Sequence, residues 1–308
     1  MKKLLGALFI TASISPVLAL PDYEPFADAS GSGGTTYTPG ANLVGQTDAQ
    51  ANSWFQAGSA VPTFTIASGS LSYPGYITSL GNSVSLSTNA NIAARFAIGS
   101  SFNANNSSLY YSFILRVTDI GSTLGAGGGF IAGFNNTGAA SQTTSPTVLG
   151  ARVLIKNVGG GTGFQLGLSK ASSNASDFQF GGSPTTFTTA DTILIVGAYD
   201  INVLGTAGDD SSRMWINPNA ADFGAALAPS ATLTASTGAD MITSGSIQSF
   251  LLYGRPNNLF PNGMQVDELR IGTSWADVTS LVVPEPGVAT LAGFGLCALI
   301  SAYRLRKR

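Results

Sequence analysis

Histidine is missing from all 308 residues, and there is a single cysteine, Cys297. Without imidazole the chain has no Ser-His-Asp triad, no histidine general base and no imidazole metal ligand. Its cysteine lies inside a C-terminal apolar run, so the rest of the chain has no disulfide and must be held by its core alone. Charge is also scarce, at 10% of residues. Positive charge is scarcest: residues 20–283 carry eight basic side chains, only Lys156 and Lys170 being lysines, against fifteen acidic ones, a net of −7. Such a surface repels phosphate backbones and argues against nucleic acid as a partner. No long segment repeats its apolar residues with a helical period.

What is present begins with a leader. Lys2 and Lys3 precede an apolar stretch from Leu4 to Ile14, Pro16 breaks it, and Val17-Leu18-Ala19 has the small-residue spacing of a cleavage site. These three regions predict a secretory signal peptide over 1–19, too short for the ~20 residues of a membrane span. The other end has three parts as well. Pro284-Glu285-Pro286 is followed by 17 uncharged residues, Gly287 to Tyr303, and then by a tail in which Arg304, Arg306, Lys307 and Arg308 are basic. As a helix the uncharged run is about 25 Å long, and the basic tail keeps the C-terminus cytoplasmic. The lysines at the front orient the N-terminus the same way, which leaves residues 20–283 outside. The two prolines keep their stretch extended, as a processing enzyme requires of its substrate.

Residues 282–308 resemble a PEP-CTERM sorting signal rather than an ordinary tail anchor. The resemblance implies a membrane exosortase as partner, cleavage near Pro284, Glu285 and Pro286, transient anchoring in the cytoplasmic membrane, and delivery to the cell surface or extracellular matrix.

Between the ends, residues 20–50 are rich in Gly, Thr, Asp and Asn and read as an irregular lead-in. From 51 to 281 the pattern is strands split by Gly, Asn, Asp and Ser clusters. Strands are expected at 61–67, 83–88, 93–98, 109–119, 128–134, 147–157, 163–169, 192–200, 212–217, 246–254 and 264–272. In "LYYSFILRVTD" (109–119), Tyr111, Phe113, Leu115 and Val117 alternate with Tyr110, Ser112, Ile114 and Arg116. Both faces are substantially apolar, which places this strand inside a sandwich covered on both sides. One short helix is expected over 273–281, capped by Ser274. The sum is an all-β chain: a single antiparallel two-sheet sandwich.

"SGSLSYPG" (68–75), "LYYSFILRVTD", "GGGFIAGF" (127–134), "SRMWINP" (212–218) and above all "VDELRIGTSWADV" (266–278) are similar to exported bacterial proteins with a LamG-like, concanavalin A-type jelly roll. That resemblance implies a jelly roll of two curved sheets, with lectins, carbohydrate-binding modules and glycoside hydrolases among its relatives. Fold alone does not choose among them. The retaining glycosidases of this fold carry two glutamates on one strand in an E-x-D-x-x-E motif, whose outer carboxylates serve as nucleophile and acid. Here Glu24 and Glu268 are the only glutamates between 20 and 283, far apart in sequence, and the motif is absent. Strict alternation in "VDELRIG" puts Asp267, Leu269 and Ile271 on one face and Val266, Glu268 and Arg270 on the other, with Glu268 and Arg270 near enough for a structural charge pair or for cross-strand partners.

Two kinds of binding site have candidates. Calcium takes oxygen ligands, and "YDINVLGTAGDDSS" (199–212) offers Asp200, Asp209 and Asp210, without the spacing of an EF-hand; the competing reading is a solvated loop. No other cofactor is indicated. Sugar binding needs an exposed aromatic flanked by polar groups. Trp54, Tyr73, Tyr76, Trp215 and the turn Tyr253, Arg255, Asn257 and Asn258 are the candidates. The glycine runs at 125–130 and 159–164 lack the Gly-Lys-Ser/Thr ending of a phosphate loop.

The sequence therefore points to a non-catalytic exported protein that contacts polysaccharide. A structural or adhesive matrix protein and a diverged polysaccharide hydrolase are the alternatives. Replacing Pro284-Glu285-Pro286 by three alanines should leave full-length protein in the membrane fraction; unchanged release would remove the sorting assignment.

Overall fold

A computed structural model describes residues 20–281 except 28–36, 48–51, 59–62, 78–80, 88–91, 122–123, 141, 144, 183 and 257–258. The expected signal peptide (1–19) and sorting signal (282–308) lie outside the described residues. Among the described residues no helix is long and apolar enough to cross a membrane.

Two antiparallel sheets face each other. The first runs in the order β13 (Leu233–Ala235), β12 (Ser211–Ile216), β11 (Thr192–Ile201), β6 (Ser107–Asp119), β15 (Gly263–Gly272), β4 (Ser83–Leu86) and β3 (Thr65–Ala67), with β1 (Asp22–Glu24) also paired to β15. The second runs β10 (Gln179–Phe180), β9 (Gly163–Ser169), β8 (Leu149–Val158), β7 (Gly129–Asn135), β14 (Ile247–Gly254), β5 (Ile92–Phe102) and β2 (Trp54–Gln56). All eleven expected strands are present. A short helix, α1 (Trp275–Thr279), starts at Ser274, whose side chain caps it in a reciprocal box with Asp277.

The two inner faces supply one core. Tyr111, Phe113, Leu115 and Val117 of β6 point into it, as their alternation predicts, with Phe96 of β5, Phe134 of β7, Val153 of β8 and Phe250 of β14 opposite. Tyr111 crosses the whole sandwich. Its ring packs on Phe134 and Phe250, and its hydroxyl donates to the carbonyl of Ala151 in the facing sheet at 2.7 Å. Space for the ring exists because β11 carries Gly197 beneath it, where a Cβ would come within 2.1 Å of the ring.

β15 departs from strict alternation. Its register to β6 shifts between Asp267 and Arg270, and Glu268 adopts φ +54°. The extra residue of this bulge reverses the parity of the strand. Val266, Leu269 and Ile271 all reach the core, so the expected grouping of Val266 with Glu268 and Arg270 is corrected. Glu268 accepts a hydrogen bond from the Tyr23 hydroxyl at 2.6 Å, while Arg270 turns outward between the rings of Tyr23 and Tyr76. The role is structural, but through these tyrosines.

The lead-in is not irregular throughout. β1 lies within it, anchored by buried carboxylates: Asp22 accepts from Asn52 Nδ2 (3.2 Å) and the Gly99 amide (3.0 Å), and Glu24 accepts from the Trp54 indole (3.0 Å) and the Phe26 amide (2.8 Å). Burial lifts Asp22 from its ordinary 3.8 to about 6, against the hydrogen bonds that oppose the shift. Burial, then the charge of Glu268, lifts Asp267 to about 9. Both groups hold their protons more firmly folded than unfolded. Their contribution to stability is complete below about pH 4 and is lost as pH rises through 6 and then 9. The thermal midpoint should accordingly fall from pH 5 to pH 9. Asp22→Asn, in which the amide oxygen still faces Gly99 and Asn52 turns to accept, should flatten the lower part of that slope; an unchanged slope would show that Asp22 does not titrate there.

Candidate functional site

The outer face of the first sheet is roofed. Trp215 packs against Trp275 of α1 (ring centroids 5.0 Å) and Tyr110, and its indole donates to the Pro229 carbonyl at 2.9 Å. Tyr76 donates to the Val278 carbonyl at 2.8 Å and meets Phe223 edge-on. Both rings are buried as packing, and Tyr73 is half-buried beside them. Trp54 is corrected as well. It is only 1% exposed, sits between Phe26 and Phe96, and is tied to Glu24, so it is a core residue and not a sugar platform.

The three aspartates expected to hold calcium separate. Asp200 forms a two-pronged ion pair with Arg213 of the neighbouring strand, Nε–Oδ2 at 2.8 Å and Nη2–Oδ1 at 2.6 Å, and accepts from Ser108 and Ser211. Asp209 and Asp210 instead meet Asp240, their carboxylate oxygens lying within 4.8 Å of one another. These groups already have donors. Asp210 takes Tyr199 Oη (2.8 Å) and the Asn202 amide (2.9 Å); Asp209 takes the Val203 amide; Asp240 takes the Asp210 amide and the Lys170 ammonium at 2.8 Å. Lys170 and Asp240 are fully buried side chains. The Lys170 ammonium meets one of the three carboxylates, Asp209 Oδ1 is buried without a hydrogen-bond partner, and the cluster fastens the 202–210 loop to its surroundings.

The second sheet is different on its outer side. Leu154, Phe130 and Tyr253 lie there on adjacent strands, with Phe178 and Phe180 packed against them. A cleft of about 240 Å³ opens over this floor between Arg152, Arg255, Phe178, Leu259 and the glycines 127–129. Phe130 and Tyr253 have ring centroids 5.2 Å apart, and each carries a guanidinium, Arg152 at 5.7 Å and Arg255 at 5.3 Å. Further along β8, Lys156 stands 4.1 Å above the Phe180 ring. Glycines make this packing feasible: a Cβ on Gly167 or Gly128 would fall within 2.6 Å of Phe180.

Of the expected turn, Arg255 lines this cleft and Tyr253 is buried beneath it against Phe130; Asn257 and Asn258 lie outside the described residues. Arg152, Lys156, Phe130 and Phe178 were not among the expected residues. Their signal lies in "ARVLIKN", where Arg152, Leu154 and Lys156 alternate with Val153 and Ile155, so two of the eight scarce cations share one face of a buried strand.

The described chain is thus a two-sheet β-sandwich with one face roofed and an aromatic, cationic cleft on the other. No family model and no curated protein matches it. Among solved structures it is similar to an endo-β-1,4-glucuronan lyase from the fungus Trichoderma reesei, at 10% identity over 73% of this chain and 96% of that one, TM-score 0.42. A carbohydrate esterase from the Shiga toxin-encoding bacteriophage phi24B is similar at 11% identity over 82% and 100%, TM-score 0.41. The globular domain of T. cruzi calreticulin is similar at 12% over 81% and 95%, TM-score 0.40. No activity transfers at these values.

Lys170→Met should lower stability by about 3–5 kcal/mol, because it strands the buried Asp240 charge. Calcium should raise the melting midpoint of that variant more than that of the wild type, since ion and ammonium compete for one carboxylate. Equal calcium shifts in both proteins would show that the cluster does not depend on Lys170.

Proposed function

We propose that this chain is an exported, non-catalytic jelly-roll domain that binds polysaccharide through the cleft on its second sheet. The observation that carries the reading is the described lining of that cleft: apolar rings and two guanidinium groups, with no carboxylate among these residues. Sugar rings present apolar C–H faces and polar edges, and a cleft with an apolar body and a few polar groups suits both. Hydrolysis of a glycosidic bond calls for two carboxylates across it, and the described lining offers neither. The leader at 1–19 and the similarity of 282–308 to a PEP-CTERM signal support delivery through a membrane exosortase to the cell surface or matrix, where polysaccharide is at hand.

The test is titration of the purified full-length protein, in detergent, against a panel of soluble polysaccharides. Phe178 is half-buried at the wall of the cleft, and Phe178→Ala should weaken binding roughly 2- to 12-fold, the worth of one aromatic contact. Failure to bind any polysaccharide would leave a structural or adhesive matrix protein. Sustained release of reducing sugar would make the chain a hydrolase.

A further inference from the structure

We infer that the cleft takes a carboxylate-bearing polysaccharide, with Arg152 and Arg255 clamping the carboxylate of one sugar while its ring lies against Phe178. This rests on the polysaccharide reading above and names the class of ligand.

Among the described residues only two cations form ion pairs, Lys170 with Asp240 and Arg213 with Asp200. Arg270 is held between two tyrosine rings. Arg95 is buried and satisfied by neutral groups, the side-chain oxygens of Asn135 (3.1 Å) and Gln142 (2.9 Å) and the Ala140 carbonyl (2.8 Å). Arg152 and Arg255 also rest on rings, and Arg152 gives its Nε to a carbonyl, but these two share one cleft, no carboxylate is among its described lining residues, and each repels the other. Burial first, and then the Arg255 charge, bring Arg152 down to about 10. Two like charges gathered in an acidic protein without an internal counter-ion form a site for an external anion.

Hydrogen bonding points the same way. The Nε of Arg255 is buried and has no acceptor, and Arg152 gives its Nε to the Leu149 carbonyl at 3.3 Å. A guanidinium has five N–H donors in a planar fork, and the aromatic contacts occupy its face and leave its edge for a ligand. Planar forks match planar carboxylates in paired N–H···O bonds. The Phe130 and Tyr253 rings beneath hold both forks in place, so less freedom is lost on binding.

A polymer fits better than an isolated acid. Arg152 and Lys156 are four residues apart on one strand and face the same way, so positive charge extends about 13 Å along β8. That length exceeds a single carboxylate and suits charges repeated along a chain.

Four ligands test the inference with the full-length protein in detergent: polygalacturonate, its methyl ester, neutral dextran and dextran sulfate. Polygalacturonate should bind, and esterification should weaken binding roughly 10- to 100-fold, the worth of charge-assisted hydrogen bonds. Arg255→Gln should cost about tenfold toward polygalacturonate and remove most of the difference in affinity between polygalacturonate and its methyl ester. The esterified ligand probes the same charge without touching the protein, so a misfolded variant does not decide the outcome. Equal binding of acid and ester, or of carboxylated and sulfated polymers, would overturn carboxylate selection while polysaccharide binding stands. Absence of binding to all four would overturn both.

Discussion

One extra residue in β15 governs how the sandwich is finished. Before the bulge, β15 pairs with β4 through Met264, Gln265 and Val266; after it, with β1 through Leu269, Arg270 and Ile271. The bulge sends Asp267 toward the 68–77 segment, where it accepts from the Leu71 amide at 2.7 Å. It also aims Arg270 away from the core, where Nη1 donates to the Ser280 carbonyl just past α1. The N-terminal strand, the 68–77 segment and the C-terminal helix are thus all fastened to one irregular turn of one strand. Charged residues tolerate that burial because each gains at least one specific partner, although Nε and Nη2 of Arg270 face rings rather than acceptors.

The consequence is an asymmetry between the two faces. The 68–77 segment and α1, both fastened near the bulge, pack over the outer side of the first sheet, where Trp215, Trp275 and Tyr76 are consumed as packing, while β1 ties the first sheet to the second. The second sheet has its own cover at one end, where Arg95 pins the 136–142 loop, but over Phe130 and Leu154 it opens into the cleft. Function is inferred for the side that the packing leaves open, and its charge is what distinguishes it from the rest of an acidic surface.

The strands were legible in the sequence because their alternation and breakers are local, and β6 displayed both of its covered faces in eleven letters. β1 was not, because "DYE" has no apolar alternation. It becomes a strand only when Asn52, Gly99 and Trp54, distant in sequence, satisfy its acids. Trp54 misled for a related reason: an aromatic beside a polar loop reads the same whether it is a platform or a lid on the core. Asp200 looked like a neighbour of Asp209 and Asp210 on sequence distance, but β-pairing turns it to Arg213 and brings in Asp240 instead. The cleft draws on β7, β8, β14 and the segment at 173–178, so no window of sequence contains it. Only Tyr253 and Arg255, two residues apart at the end of β14, were named from the sequence.

An acidic domain that binds an acidic polymer poses an electrostatic problem, and the distribution of charge resolves it. At physiological ionic strength fields fade over about 8 Å, so the net −7 acts mainly where a polymer lies directly on the surface. There it opposes contact nearly everywhere. The cleft reverses the sign over a short distance, and its low-dielectric floor of Phe130, Leu154 and Tyr253 strengthens attraction inside it. Repulsion elsewhere then contributes to selectivity, because an anionic chain laid in any other position loses free energy. Arginine suits this position better than lysine: its charge is spread over a weakly hydrated plane that rests on an aromatic ring at modest desolvation cost. The scarcity of cations in this chain therefore sharpens the contrast on which the cleft depends.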